Sequence, residues 1–191
     1  MKKITNLNKL FLSTLVVASC ITNLNATDKY VGLKLSKLDT DKTVFANISG
    51  NENIGPYKEY NDMSLVGIEM EWLHANESSA FLWGIGWDLM LNEGKLFDGG
   101  MLDLDLKLGG HWNNVKVYGI LGYGIQSLSD YTASQGMNIG IGTTYDIKDN
   151  FAINASYTKH NMNTFTSSDN DKSDNQDYGL SGFSLGILYK Y

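Results

Sequence analysis

Residues 102–108 read Leu-Asp-Leu-Asp-Leu-Lys-Leu, so Asp103, Asp105 and Lys107 alternate with four leucines. Side chains two apart on an extended chain share a face. Two carboxylates and an ammonium on one face can pair as ions, accept hydrogen bonds or attract a hard cation. The same alternation elsewhere adds Lys34, Glu69, Glu71, Asp88, Lys116 and Asp146. These residues form one candidate polar network with acids in excess over lysines. Two roles stay open for it: a structural plug of salt bridges and hydrogen bonds, or a polar path or weak cation site.

Other chemistry is weakly encoded. Nucleophilic catalysis needs a Ser placed by a His, with an acid behind it. His74 and His111 fall at the turn side, and His160 opens a polar loop with Thr164, Ser167, Ser168 and Asp169 nearby but no well-spaced Ser. Asp169-Asn-Asp-Lys-Ser-Asp174 and Asp177 space acids as a calcium loop does, yet the turn Gly and closing Glu are missing, so a solvated surface loop is expected. The sequence has no nucleotide-binding loop, zinc-ligand cluster or heptad. No catalytic residue, metal or cofactor is expected.

The elements that must carry the polar network are eight segments of period-two alternation. They run about Lys29–Lys37, Ser64–Leu73, Ala80–Leu91, Met101–His111, Val115–Gln126, Gly136–Ile147, Phe151–Lys159 and Gly179–Tyr191. In each, large apolar residues take one parity and Gly, Ser, Asn, Thr or charges take the other. Four leucines in register with three charges do not suit an ordinary buried strand. The connections alternate long, short, medium, short, medium, short, long, and the long ones are Leu38–Asp62 and His160–Asp177.

Residues 1–26 have the layout of an export signal: Lys2, Lys3 and Lys9, an apolar run from Leu10 to Ile21, then Leu24-Asn25-Ala26 as a cleavage box. Val17-Ala18-Ser19-Cys20 also fits the box before a lipid-modified cysteine, and with Cys20 the only cysteine no internal disulfide can form. Three of the 15 basic residues lie in this leader, which has no acid, so 12 Lys face 21 acids after it, formally −9. That balance argues against nucleic acid as a partner. After the leader no apolar run is long enough for a helical span, which leaves a closed barrel as the way to cross a membrane.

Two barrels share this pattern. A soluble lipocalin-like barrel turns its apolar parity inward, and a membrane barrel turns it outward. Side-chain volume favours the second, because an eight-stranded barrel is barely wide enough for its own side chains. Small residues fit that interior and rows of Trp, Phe, Tyr and Leu do not. Aromatic residues also gather near strand ends, with Trp72, Phe81, Tyr145, Phe151, Tyr189 and Tyr191 on the turn side and Trp87, Tyr123, Tyr157 and Tyr178 toward the loops. Two such belts suit two membrane interfaces.

The closing segment places Phe183, Leu185, Ile187, Tyr189 and Tyr191 on one parity. It resembles the C-terminal signal of bacterial outer-membrane barrels, in which alternating hydrophobics end on an aromatic residue. With Tyr118-Gly-Ile-Leu-Gly-Tyr-Gly124 and Gly136-Met-Asn-Ile-Gly-Ile-Gly142, the chain resembles a small OmpA-type or porin-family outer-membrane barrel domain without a peptidoglycan-binding domain. That resemblance implies reading of the terminal strand by the insertion machinery. Some eight-stranded barrels act on lipid A, and the His positions do not support that here.

The expectation is therefore all-β: residues 1–26 as signal peptide and 27–191 as one eight-stranded antiparallel up-and-down transmembrane β-barrel in the outer membrane of a Gram-negative bacterium. It is expected to be monomeric, with outer-membrane lipid, lipopolysaccharide and the insertion machinery as partners. Its loops present a surface for a structural or adhesive role; the alternative is a narrow channel for small solutes or ions.

Overall fold

The computed structural model describes residues 28–47, 57–75, 80–92, 99–128, 132–166 and 177–191. The leader with Cys20, the acids Asp169–Asp174, and Ser167 and Ser168 lie outside them. Eight strands are present: β1 (Asp28–Asn47), β2 (Tyr57–Ala75), β3 (Phe81–Asn92), β4 (Gly100–Trp112), β5 (Val115–Ser127), β6 (Thr132–Lys148), β7 (Phe151–Thr166) and β8 (Asp177–Lys190). Each pairs antiparallel with its neighbour in sequence, and β8 pairs with β1, from Tyr30↔Lys190 to Thr40↔Leu180, to close the barrel. Closure removes the free edges that an open sheet would expose.

Tight turns fix one end. Trp112 pairs with Val115 across Asn113-Asn114, and Asn113 has φ 51°. Asn tolerates that left-handed conformation, which a two-residue hairpin of the right twist requires. Asp149-Asn150 joins Lys148 to Phe151 by a turn of the same length, without a positive φ and after a register shift between Asp146 and Lys148. The chain termini of the barrel lie at this end, where the Tyr191 N–H donates to the Lys29 carbonyl at 3.0 Å. β1 ends and β2 begins at the other end of the barrel, as do β7 and β8 in turn.

Two loops of the sequence reading contain strand. Leu38–Asp62 continues β1 to Asn47 and begins β2 at Tyr57, with a register shift between Asp39 and Val44. Thr43-Val44-Phe45 and Tyr57 to Tyr60 supply β-branched and aromatic residues that favour pairing, and polar neighbours hide that signal. His160–Asp177 likewise gives its first part to β7, which runs to Thr166.

The parity assignment fixes two faces. Leu33, Leu35, Ile139, Ile141, Phe183, Leu185 and Ile187 point outward and are about two-thirds exposed, while Lys34, Glu69, Asp103, Asn138 and Ser184 point inward and are buried. Phe151 meets Tyr189 edge-on with ring centroids 5.7 Å apart at the turn end, and Tyr157 meets Phe183 at 4.8 Å. The proposed belts lose two members. Tyr178 has inward parity, is buried, and donates its hydroxyl to Gln126 Oε1 at 2.7 Å; Trp72 is buried as well.

The inside is fuller than small residues alone would make it. Tyr30, Leu73, Leu82, Tyr118, Ile120, Ala152 and Leu188 form one buried cluster toward the turn end. Leu38, Met63, Leu65, Met90, Met101, Leu128, Met162, Tyr178 and Leu180 form another toward the loop end. Inward glycines make room for these side chains, as Gly142 does for Tyr118: a Cβ there would sit 2.5 Å from the ring.

Candidate functional site

The inward parity of each strand has an order along its length as well as an alternation. On β2 it runs Met63, Leu65, Gly67, Glu69, Glu71, Leu73; on β8 it runs Tyr178, Leu180, Gly182, Ser184, Gly186, Leu188, Lys190. Stacked around the barrel, these rows make an apolar layer at the loop end, a charged layer in the middle, a second apolar layer, and a polar mouth at the turn end.

The central layer gathers seven of the nine residues of the sequence-derived network: Lys34, Glu69, Glu71, Asp88, Asp103, Asp105 and Lys107. Lys34 Nζ contacts Asp88 and lies 3.8 Å from Glu69 Oε2. Lys107 Nζ contacts Glu71 and sits 4.9 Å from the centre of the Tyr118 ring. Both ammonium groups are buried with a carboxylate partner, the arrangement that makes charge tolerable in a narrow lumen.

Three further residues complete this layer. Asn154 Nδ2 donates to Glu69 Oε2 at 2.7 Å and to Glu71 Oε1 at 3.3 Å. Asn138 Nδ2 donates to Asp105 Oδ1 at 2.9 Å. His160 Nε2 lies 3.1 Å from Asp103 Oδ2 and 3.5 Å from the Asn138 amide. His160 is thus a lumen residue at 1% exposure, in place of the loop position expected for it. Ending the seventh strand at Lys159 hides this. Carrying the alternation Ala152, Asn154, Ser156, Thr158 one step further places His160 inward.

Lys116 and Asp146, the other two network residues, belong to the mouth. Lys116 Nζ donates to Asp146 Oδ2 at 2.5 Å and to the Tyr30 hydroxyl at 2.8 Å, and lies 3.1 Å from Asp28 Oδ2. Tyr30 donates in turn to Asp146 Oδ1 at 2.8 Å, and Lys190 Nζ reaches Asp28 Oδ1 at 2.6 Å. This knot ties β1, β5, β6 and β8 together beside the seam where the barrel closes. The sequence reading joins in one network what the structure separates by an apolar layer: parity finds the face of a side chain, whereas the tilt of the strands sets its depth.

Chemically, these groups can exchange protons and hold cations, and the two apolar layers sit across any polar route through the lumen. Among the described residues no group of three or more His, Cys, Asp or Glu side chains is arranged to hold a metal ion. The outer wall is apolar, with shallow grooves such as the one between Val117, Ile141, Ala155, Tyr157, Phe183 and Leu185. Phe183, Leu185, Ile187, Tyr189 and Tyr191 form a continuous exposed row on it.

Water is a poor solvent for such a wall and hydrocarbon a good one. The sequence model of the outer membrane protein beta-barrel domain matches residues 11–190. Among solved structures, the attachment invasion locus protein Ail of Yersinia pestis is similar at 16% identity over 86% of this chain and 100% of that one, with a TM-score of 0.42. OprG of Pseudomonas aeruginosa is similar at 15% identity over 87% and 96% of the two chains, TM-score 0.48. The outer membrane protease OmpT of Escherichia coli is similar at 8% identity over 88% and 98%, TM-score 0.32. A comparison with curated proteins finds no match. The closed antiparallel barrel, its apolar outer wall and the match over nearly the whole chain lead to one conclusion: the chain belongs to the outer-membrane β-barrel domain family and is an integral protein of the Gram-negative outer membrane.

Proposed function

We propose that the barrel is a closed scaffold and that its function lies in a surface presented outside the cell. The observation that carries this reading is the β1–β2 hairpin. Its pairing continues to Asn47↔Tyr57, whereas β1 pairs with β8 only as far as Thr40↔Leu180 and β2 pairs with β3 only as far as Leu65↔Asn92. Among the described residues the hairpin has no ladder pairing with β8 or β3 beyond those points, though Asp41 accepts from the Gly179 N–H at 2.6 Å, and such edges recruit extended partners through main-chain hydrogen bonds. An adhesive or membrane-stabilising role follows. Lipopolysaccharide is the neighbour such a hairpin meets first. The terminal aromatic row of β8 serves the insertion machinery, and the barrel works as a monomer without catalysis. His160 supports the last point, since it faces Asp103 inside the wall, away from both lipid and loops.

The test replaces residues 42–61 by a two-residue Asn-Gly turn. The shortened protein is expected to keep its heat-modifiable migration in detergent gels and its outer-membrane fractionation. Cells carrying it are expected to lose attachment to surfaces or to each other relative to wild type. Unchanged attachment with a folded barrel would refute the surface role of the hairpin. The charged central layer favours a second reading, a narrow channel for small ions, which the two apolar layers oppose.

A further inference from the structure

The lipid-facing wall carries two lysines toward its loop end. Lys37 on β1 and Lys159 on β7 have outward parity and are exposed. Lys34, Lys107, Lys116 and Lys190 have carboxylate partners, whereas Lys37 and Lys159 have none among the described residues. Both stand where the apolar band of this sector stops. On β1 the outward row runs Val31, Leu33, Leu35 before Lys37, and on β7 it runs Phe151, Ile153, Ala155, Tyr157 before Lys159. Lys37 shares a row with Phe183 and Tyr157, whose ring centroids are 4.8 Å apart. Lys159 lies one row closer to the loops, beside Ser181. A lysine at such a border lays its stem on apolar surface and lifts its ammonium into the head-group region.

On the turn side of the Tyr157–Phe183 pair the wall is hollow. Thr143 and Ala155 face each other across β6 and β7, and both are smaller than their neighbours. Ile141, Tyr157, Phe183 and Leu185 stand around them and bound an apolar groove of about 510 Å³. Lysines and groove together make one feature with a cationic top and an apolar body, which is the complement of an anionic lipid. Acids bound the patch on its other side. Asp39 shares the row of Ser181 and opposes Asp62 across β1 and β2, and Asp41 accepts from the Gly179 N–H.

The loop end of such a barrel faces outside the cell, where the outer leaflet is phosphorylated glycolipid. We propose that Lys37, Lys159 and the groove beside the Tyr157–Phe183 pair bind one molecule of that glycolipid, with a phosphate on the two ammonium groups and one acyl chain over Thr143 and Ala155. A second copy of the chain fits this patch less well, because the outward rows of β3, β4, β5 and β6 hold no carboxylate to meet the lysines. The site rests on the external placement of the loop end and is independent of the β1–β2 hairpin as an adhesive surface.

The test titrates the full chain, folded in non-ionic detergent micelles, with purified bisphosphorylated lipid A and counts bound lipid by native mass spectrometry. Binding is expected to saturate at one lipid A per barrel. The double variant Lys37→Gln, Lys159→Gln is expected to bind about thirtyfold more weakly, roughly fivefold for each lysine near the head groups. Lipid A stripped of its phosphates is expected to show the same loss on the wild type. Ala155→Phe fills the groove and is expected to weaken binding with both lysines intact, whereas Leu106→Phe on the far wall is expected to leave it unchanged. Asp39→Asn removes a repelling charge and is expected to tighten it. Equal binding by the double-lysine variant, equal binding of dephosphorylated lipid A, or uptake without saturation would each overturn the proposal. A dimer that takes up no lipid A would overturn it as well and give the groove to a second copy. The lysines are exposed and leave the lumen untouched, so should Ala155→Phe fail to fold, their double variant and the dephosphorylated lipid decide. Replacing residues 42–61 keeps both lysines and is expected to leave lipid A binding intact, so this site and the hairpin's role fail separately.

Discussion

Lys107 and Glu71 show how the lumen treats a single residue. The two are a buried pair, and Asn154 adds a hydrogen bond to the carboxylate. Removing one partner strands the other charge, which typically costs about 3–5 kcal/mol. Lys107→Met is therefore expected to lower the unfolding free energy of the micelle-folded barrel by roughly that amount. The double variant Lys107→Met, Glu71→Leu removes both charges and is expected to recover most of the loss. Urea unfolding followed by tryptophan fluorescence checks both. A double variant as unstable as the single one would mean that the pair is held for its packing. Gly186→Val tests the space over the glycine: its side chain must displace Glu69 Oε1 or Asn154 Oδ1, so it is expected to unfold more readily than Leu185→Val on the outer face of the same strand.

At the scale of the element, β8 carries most. It closes the seam with β1 through ten rows below Thr40, places the exposed aromatic row outside, and sets Lys190 into the mouth knot with Asp28. Deleting Tyr191 removes the outermost ring and the N–H that reaches Lys29. The deletion is expected to reduce outer-membrane levels more than a one-residue deletion within residues 167–176. Quantitative immunoblotting of outer-membrane fractions compares the two; equal levels would count against a role of the terminal residue in assembly. The alternation of β8 is plain in the sequence because both faces are consistent along its length. The outer parts of β1, β2 and β7 are not, because above the barrel wall no apolar medium selects an outward parity. Backbone pairing continues through them, and pairing leaves little trace in polar side chains.

For the whole molecule, the order of layers inside the barrel is what bears on transport. The loop-end layer includes Met90, Met101 and Leu180, and the turn-end layer includes Leu73, Leu82 and Leu188. Apolar constrictions of this kind exclude water and ions by dewetting. In planar bilayers the wild-type protein is expected to give no conductance steps above background. Combining Leu82→Ser and Leu188→Ser with Met90→Ser and Met101→Ser is expected to bring small cation-preferring steps, since acids outnumber lysines in the layer between. Regular steps from the wild type would favour the channel reading.

The sequence by itself determined the strand count, the two faces of the wall, the direction of the long loops and the inward position of Lys34, Glu69, Glu71, Asp88, Asp103, Asp105, Lys107, Lys116 and Asp146. Each follows from a period of two, which is local and survives in every segment. Tertiary structure alone decided which of these charges meet. Lys34 finds Asp88 and Glu69, Lys116 finds Asp146 and Asp28, and His160 finds Asp103, from strands up to 88 positions apart in the chain in the case of Lys116 and Asp28. Parity says that a side chain enters the lumen, but its depth depends on strand tilt and on the register of closure, and those are properties of the closed barrel.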